Sequence, residues 1–285
     1  MTTAPSPTAN ATAARPGAAD THATATGTDA IARLEGVSKS FGSLHVLRDL
    51  TLAFAPGQTT VVLGPSGTGK SVMLKHIMGL LRPDAGAVYF KGTRVDPLRE
   101  RELVEIRKQI GFLFQMGALF DSMTVGANVA FPLAGHTELS AEDRSARAEE
   151  LLRQVGLPDV QHKMPAEMSG GQRKRVALAR AIALNPDLVL YDEPTTGLDP
   201  ITSDVINQLI NATRDRLGLT NIVVTHDIKS ATTVADRMVL LSAGRIVHDG
   251  PPEAFVDTGI DTVDRFIRGE ADAEDLAAIR AGMGT

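Results

Sequence analysis

The chain has 285 residues, of which 43% are apolar, so its length allows one large domain with an ordinary core or two small ones. The formal net charge of −5 gives no global positive field, and the composition therefore does not favour nucleic acid or an anionic membrane surface as a partner. The sequence contains no cysteine, which excludes disulfides and thiolate-bound metals.

The first 29 residues differ in composition from the rest of the chain. They are nearly all Ala, Thr, Pro, Ser and Gly, which carry too little large apolar surface to offset the entropy lost on ordering. Residues 1–29 are therefore predicted to form a disordered tail. This segment also lacks a basic region followed by an apolar core, and no run reaches the roughly 20 apolar residues of a membrane-spanning helix. We expect a cytosolic protein.

From Ile31 onward the pattern predicts strands, and later strands that alternate with helices. The early strands are Ile31–Val37, Leu50–Phe54, Thr59–Leu63 and Ala87–Phe90, separated by Gly and Pro turns. A helical pattern follows from about Ser140 to Leu184. Short apolar strands alternating with helices indicate an α/β fold with a mostly parallel, buried sheet. The later elements are Leu188–Tyr191, Ser203–Arg216, Asn221–Thr225, Ile228–Val234 and Arg237–Leu241.

A phosphate-binding loop is predicted at Gly64–Ser71, which fits the G-x-x-x-x-G-K-[S/T] pattern between a strand and a helical stretch, Ser71–Leu80. The glycines let successive amides point at phosphate oxygens, and the helix N-terminus adds partial positive charge. Lys70 should reach the β- and γ-phosphates, and the Ser71 hydroxyl should ligate Mg²⁺. The predicted nucleotide-binding residues here are Gly64, Pro65, Ser66, Gly67, Thr68, Gly69, Lys70, Ser71 and Val72.

Two acids, Asp192 and Glu193, end the apolar strand that begins at Leu188. The C-terminal edge of a sheet is where ligands of α/β proteins bind. Asp192 is the expected partner of Mg²⁺, and Glu193 the expected base that polarises the attacking water. Apolar strands that end in acids are common, so this pattern gains its specificity from the phosphate loop before it.

A second anion site is predicted at Met168–Gln172. Ser169 can cap the helix that runs through Arg173–Leu184, and the two glycines leave its first amides bare. The three cations Arg173–Arg175 lie where a helix dipole disfavours positive charge, and we expect a nearby phosphate to offset this. The alternative is an ordinary Ser-capped helix with a solvated basic face.

Together, these motifs resemble those of the ABC-transporter ATPases over about Ile31 to Gly250. Met168–Gln172 resembles the LSGGQ signature of that family, with Met in place of the leading Leu. The resemblance implies a P-loop NTPase core of ABC type over 30–250, with a mixed sheet and an antiparallel β region. It also implies an inserted helical subdomain at about 116–184 and a C-terminal helical extension at 251–285.

Further residues match the family one by one. Gln115 matches the Q-loop glutamine that touches Mg²⁺ and senses the permease, and Asp199 matches the D-loop. His226 matches the histidine that contacts the γ-phosphate, and Phe41 the aromatic that stacks on adenine. Alone, each could be an ordinary surface or packing residue. The resemblance implies catalysis by Lys70, Gln115, Glu193 and His226, Mg²⁺ ligation by Ser71, Gln115 and Asp192, and nucleotide contacts from Phe41, Ser169, Gly170, Gly171, Gln172 and Asp199.

The resemblance also implies partners. In the family two subunits bind head to tail, with ATP between the phosphate loop of one and the signature helix of the other. A homodimer is therefore expected, bound to integral-membrane permease subunits at the cytoplasmic face of the inner membrane. No nucleic-acid partner is expected.

The cargo is suggested by Gln115–Phe120, which resembles the Mla/Mce-type ATPases that drive phospholipid movement in bacterial envelopes. Residues 173–177, 199–203 and 263–269 resemble that subfamily too, but Asp272-Ala273-Glu274 replaces its usual Asp-Gly-Pro. A small accessory protein and an Mce-type lipid-binding protein are further expected partners. The alternatives are an importer of another solute such as an amino acid, a soluble ABC ATPase, and a phosphate-loop kinase.

The C-terminal extension contains two apolar patterns at helical spacing, one on each side of Gly269, which is a plausible helix stop. Helices this short need burial to be stable in water. We expect the extension to dock on another subunit, with packing on its own subunit as the alternative. The apolar residues are Val263, Phe266 and Ile267, then Leu276, Ile279 and Met283.

Overall fold

The structure, a computed structural model, describes residues 29–271. Within this range the chain forms ten β-strands and eight α-helices. The strands are β1 (Ala32–Phe41), β2 (Leu44–Phe54), β3 (Thr59–Leu63), β4 (Ala85–Phe90), β5 (Thr93–Arg94), β6 (Ile110–Leu113), β7 (Leu188–Asp192), β8 (Thr220–Thr225), β9 (Arg237–Ser242) and β10 (Arg245–Gly250). The helices are α1 (Lys70–Ile77), α2 (Glu100–Arg107), α3 (Val125–His136), α4 (Ala141–Gln154), α5 (Gly170–Ala181), α6 (Pro200–Leu217), α7 (Ile228–Val234) and α8 (Asp261–Arg268).

The strands form two sheets. Four strands make an antiparallel sheet in the order β2-β1-β4-β5, and six make a second sheet in the order β10-β9-β3-β8-β7-β6. In the second sheet every neighbouring pair is parallel except β9 and β10. The predicted α/β class, with a mixed sheet and an antiparallel β region, is confirmed. The division of the chain into segments at residues 29 and 250 stays a prediction.

The six-stranded sheet is covered on both faces, as its continuous apolar strands predict. All five residues of β3 and of β7 are buried. On β3, Val61 and Leu63 belong to the core shared with the helices α3, α4 and α5, whereas Val62 belongs to the core shared with the antiparallel sheet and α1. This alternation follows from the period of two along a strand. The chain is thus layered around one central sheet.

Several elements begin earlier than the sequence pattern predicts. The helical region starts with α3 at Val125, where the Thr124 side chain accepts a hydrogen bond from the amide of Ala127. Gly and Pro inside α3 lower its intrinsic helix propensity, so its pattern is weak in sequence. Val129 and Leu133 are nevertheless buried against the core, and this packing stabilises the helix.

The helix α8 packs on its own chain, which is the alternative to the predicted docking on another subunit; docking of the rest of the C-terminal extension stays a prediction. Val263 is fully buried in the core of its own chain, and Phe266 and Ile267 pack on the same cluster. Gly269, at φ +70°, ends the helix in the left-handed conformation, as predicted. The apolar positions at 276, 279 and 283 and nearly all of the predicted tail lie outside the described residues.

No helix within residues 29–271 is both long enough and apolar enough to cross a membrane.

Shortening Val263 tests the packing of α8 on its own chain. Val263→Ala should lower the free energy of unfolding by roughly 1–3 kcal/mol, because it leaves a cavity in the core. Thr262→Ala, at an exposed position of the same helix, is the control and should change it by less than about 0.5 kcal/mol. Denaturant unfolding of the monomeric protein measures both. Equal stability of the two variants would contradict burial within the subunit.

Candidate active site

Three predicted motifs meet at one edge of the six-stranded sheet. Leu63, the last residue of β3, is in register with Thr225, the last of β8, and Asp192, the last of β7, is in register with Val224. Because these strands are parallel, the segments that follow them emerge on the same side. The phosphate loop, the acid pair and the histidine after β8 therefore lie together.

The loop between β3 and α1 depends on glycine. Gly64, Gly67 and Gly69 all have positive φ values, of +155°, +83° and +100°. A Cβ at Gly64 would lie 2.2 Å from the Leu241 carbonyl oxygen, so no larger residue fits without a shift. The helix α1 begins immediately after the loop, at Lys70. Its unpaired first amides and its dipole make this end a site for an anion.

The Lys70 ammonium is folded back into its own loop. The side chain is 6% exposed, and Nζ donates to the carbonyl oxygens of Gly64 at 2.7 Å and Pro65 at 2.9 Å. Burial lowers the pKa of Lys70, although the charge of Glu193 acts in the opposite direction. A phosphate in this loop would compete with the two carbonyls for the ammonium.

The two predicted metal ligands of this edge are in contact. Ser71 Oγ donates to Asp192 Oδ1 at 2.7 Å, and burial raises the pKa of Asp192. A hydroxyl and a carboxylate are the hard oxygen ligands that Mg²⁺ takes, so the pair fits this ion. Within residues 29–271 no cluster of three His, Asp or Glu side chains could hold a metal. Nucleotide oxygens and water would therefore have to complete its coordination.

The Glu193 carboxylate lies at the centre of a hydrogen-bond network. Its Oε2 accepts from Thr196 Oγ1 at 3.0 Å and Thr225 Oγ1 at 3.3 Å, and lies 3.0 Å from His226 Nδ1. Its Oε1 is 3.8 Å from Lys70 Nζ. Neither threonine belongs to a predicted motif. Their positions in the sequence give only weak local signals of a role in the site: Thr196 lies three residues after Glu193, and Thr225 directly precedes His226.

Glu193 also has an unusual backbone conformation. Its φ of +49° places a non-glycine residue in the left-handed region, which costs of the order of 1 kcal/mol. Its amide donates to the Val224 carbonyl at 2.9 Å, so the neighbouring strand fixes this turn. The side chain is thereby aimed from the end of β7 toward the phosphate loop.

The signature segment forms the predicted cap. Ser169 Oγ accepts from the Gln172 amide at 3.2 Å, and Gln172 Oε1 accepts from the Ser169 amide at 2.9 Å. The helix α5 begins at Gly170, three residues before the predicted start. No hydrogen bond or ion pair among the described residues joins this segment to the phosphate loop of the same chain. Among these residues, the two predicted anion sites thus make no polar contact with each other.

The cations of the basic run donate to main-chain carbonyls of their own chain, and the phosphate expected nearby stays a prediction. Arg173 donates to the Met168 carbonyl at 2.6 Å and Arg175 to the Gly156 carbonyl at 3.1 Å. Carbonyl oxygens offset the unfavourable helix dipole locally. The alternative, a solvated basic face, does not fit the middle cation, Lys174, which is 5% exposed.

Lys174 reaches two motifs at once. Its Nζ donates to the Gln115 carbonyl and, at 3.1 Å, to the Glu193 carbonyl. Burial lowers the pKa of Lys174 to about 8, while the charges of Asp192 and Glu193 oppose that change.

The remaining predicted residues lie at the periphery. Gln115 is exposed and is joined to the centre through its carbonyl. Asp199 caps α6, with Oδ1 accepting from the Thr202 amide at 3.0 Å. Phe41 is 47% exposed at the tip of the β1–β2 hairpin, with Lys39 Nζ 5.6 Å from the ring centroid. An exposed aromatic at this place is available to a nucleotide base.

A groove of about 440 Å³ lies beside the Gln115 loop. Its rim carries the exposed aromatic pair Phe120 and Phe131, whose ring centroids are 4.7 Å apart. Arg180 holds the loop by donating to the carbonyls of Gly117 and Ala118, both at 2.9 Å. None of the described residues lining the groove is acidic; the basic ones are Arg107, Lys108, His136 and Arg180.

Alanine substitutions at the two signature glycines, Gly170 and Gly171, should have opposite effects on the free energy of unfolding. A Cβ at Gly171 would lie 2.3 Å from Thr202 Cγ2, and Thr202 is fixed by its hydrogen bond to Asp199. Gly171→Ala should therefore lower the free energy of unfolding by roughly 1–3 kcal/mol. A Cβ at Gly170 would meet only Leu198 Cδ2, at 3.6 Å, so Gly170→Ala should be neutral or raise stability by up to about 1 kcal/mol. Denaturant unfolding measures both, and similar losses in the two variants would contradict this packing.

Comparison with known proteins agrees with this geometry. Residues 47–196 match the ABC transporter family. A probable ribonucleotide transport ATP-binding protein of Mycobacterium leprae is 43% identical over 83% of this chain and 68% of its own length. The intermembrane phospholipid transport system ATP-binding protein MlaF of Haemophilus influenzae is 41% identical over 81% of this chain and 88% of its own length.

A solved structure carries the same fold. It is a dimeric ATP-binding cassette in a post-hydrolysis state with ADP and Pi, and it is 36% identical with a TM-score of 0.72. The match covers 78% of this chain and 98% of that one. The chain therefore belongs to the ABC transporter family, as one of its ATPase subunits.

Proposed function

We propose that the chain binds and hydrolyses ATP at a site completed by a second copy, and that this cycle drives a membrane transporter. The observation that carries the proposal is the convergence of Lys70, Ser71, Asp192, Glu193 and His226 at one sheet edge. A phosphate cradle, a pair of hard oxygen ligands and a carboxylate base are the parts that phosphoryl transfer to water requires.

Phosphate binding begins with an exchange at Lys70. The ammonium leaves the carbonyls of Gly64 and Pro65 and binds β- and γ-phosphate oxygens of ATP, while the amides of residues 65–71 cradle the phosphates. Phe41 stacks on the base. Val72, at the second position of α1, completes the binding segment.

Ser71, Asp192 and the side chain of Gln115 are the residues that would hold Mg²⁺. The contact between Ser71 and Asp192 and the raised pKa of the buried Asp192 carboxyl support this assignment, because a bound cation would stabilise its ionised form. When bound, the ion neutralises charge on phosphate oxygens.

Glu193 is the proposed base. It takes a proton from the water whose oxygen attacks the γ-phosphorus, the bond from that phosphorus to the β–γ bridging oxygen breaks, and ADP and phosphate are formed. Thr196 and Thr225 orient the carboxylate. His226 is half exposed beside it and contacts the γ-phosphate.

The second copy supplies the missing anion site. Ser169–Gln172 have no hydrogen bond to their own phosphate loop. The amides of Ser169 and Gln172 are paired in the cap, whereas those of Gly170 and Gly171 need an anion from elsewhere. The dimeric cassette with ADP and Pi supports a head-to-tail pair with two shared sites. Asp199 and Gln172 lie at the same face, near the partner's nucleotide. Loss of the γ-phosphate then weakens the closed dimer, which is how hydrolysis does work.

Removing the base tests the site and the dimer together. Glu193→Gln should bind ATP but hydrolyse it at least about a hundredfold more slowly, because the proton acceptor is lost while Asp192 remains. In the presence of Mg-ATP the Glu193→Gln protein should accumulate as a dimer. Light scattering measures this, both for the ATPase subunit alone and for its complex with the membrane subunits.

The controls for this variant separate chemistry from binding. Glu142→Gln, at an exposed position of α4, should hydrolyse ATP at the normal rate. Lys70→Ala should neither hydrolyse ATP nor form the trapped dimer. Wild-type hydrolysis by Glu193→Gln, or a monomer that holds ATP tightly in the presence of its permease, would refute the shared site.

The groove beside Gln115 is the proposed docking surface for a permease. Its exposed aromatic pair and its basic lining suit a short amphipathic segment that carries apolar side chains and a carboxylate. Binding there would place the ATPase at the cytoplasmic face of the inner membrane through the permease. It would also bring the partner into contact with the loop that contains Gln115.

Phospholipid is the proposed cargo. Two observations support it. The sequence of Gln115–Phe120 resembles that of the Mla/Mce-type ATPases, and the names of the MlaF relatives describe intermembrane phospholipid transport. An Mce-type lipid-binding protein and a small accessory protein are the partners that this function would add. The mycobacterial relative favours ribonucleotide as a second candidate. Another solute, such as an amino acid, is the remaining alternative.

Reconstitution tests the cargo. The complex purified with its permease and placed in vesicles should move fluorescent phospholipid when Mg-ATP is added, and phospholipid should stimulate its ATPase activity. Vesicles containing the Glu193→Gln complex are the control for passive exchange. Stimulation by ribonucleotides or amino acids without an effect of phospholipid would refute this cargo and leave the ATPase assignment intact.

A further inference from the structure

Lys174 joins three motifs within one subunit. It lies on α5, directly after the signature, and its buried Nζ donates to the Gln115 carbonyl and to the Glu193 carbonyl at 3.1 Å. These carbonyls belong to the loops that follow β6 and β7. One ammonium therefore links the signature helix to the permease-side loop and to the turn that carries the proposed base.

A buried ammonium in the first turns of a helix is unfavourable by itself. The chain removes it from water, and the helix N-terminus adds partial positive charge. Two carbonyl dipoles and the nearby carboxylates of Asp192 and Glu193 offset that cost. An uncharged side chain of similar length would avoid the cost but could not bond both carbonyls.

The Glu193 carbonyl belongs to a turn whose backbone and side chain are both constrained. The residue has φ +49°, its amide is bonded to the Val224 carbonyl, and its carboxylate accepts from Thr196. Lys174 and, at 3.3 Å, the Thr196 amide both donate to the carbonyl of that residue. A shift of α5 would therefore pull on the turn that aims the carboxylate.

We propose that Lys174 is a positioning residue for ATP hydrolysis: it ties the Gln115 and Glu193 backbones to the signature helix and so sets the geometry of the base. The inference rests on the proposed function. It requires no contact between Lys174 and the nucleotide, so it separates the rate of the chemical step from the affinity for ATP.

The test compares three variants of the full chain, purified with its permease. Lys174→Met keeps the length but removes the donors, and its kcat should fall about tenfold or more while KM for ATP stays within about threefold. Lys174→Gln keeps one amide donor and should recover part of the rate. Rates are expressed per ATP-binding site, measured by titration with a fluorescent ATP analogue, so that misfolded protein does not contribute.

Arg175→Met is the matched control. It removes the same charge from the next position of the same helix, together with bonds to the carbonyls of Val155 and Gly156 in the helical region. It should reduce stability but keep kcat within about twofold.

The outcomes separate the positioning role of Lys174 from the proposed function of the chain. A wild-type complex that does not hydrolyse ATP would overturn the proposed function itself. A wild-type complex that hydrolyses ATP while Lys174→Met keeps its kcat would overturn only the positioning role. So would an equal loss in Arg175→Met, which would point to a general structural effect, or a Lys174→Met defect confined to KM, which would point to nucleotide binding.

Discussion

The parallel register of β3, β7 and β8 is the constraint on which the site depends. It brings to one edge the ends of three strands that are spread along the sequence from Leu63 to Thr225. Each strand is buried on both faces, so a slip of one residue would expose apolar side chains and misplace the functional group after the strand. Core packing and site geometry are thus enforced by the same hydrogen-bond ladder.

The helical region is attached to this rigid edge by few polar contacts. The cations of α5 bond carbonyls in the loops around them, and Arg180 at its far end holds the loop that leads to the groove. One helix therefore has its N-terminus at the signature and its C-terminal half at the proposed permease surface. Because a helix moves as a rigid body, a displacement at either end reaches the other.

The sequence was sufficient for features encoded by adjacent residues. The glycine loop with Lys70, the capping by Ser169 and the bounds of β3 follow from local patterns, and the structure reproduces them. Lys174 and Thr225 contribute through residues distant in sequence, which no local pattern reveals, and Thr196, three residues after Glu193, belongs to none of the predicted motifs. The apolar face of α8 shows that burial is required, but not whether its own chain or a partner supplies the surface.

The hydrogen bonds that Lys70 donates to carbonyls of its own loop affect the thermodynamics of nucleotide binding. Because the ammonium has two carbonyl acceptors in its own loop, nucleotide binding exchanges these hydrogen bonds for bonds to phosphate, and only the difference contributes to the binding free energy. The same carbonyls are available again when ADP departs. The exchange costs the same for ATP and for ADP, so the preference of the site for the triphosphate depends on contacts to the γ-phosphate.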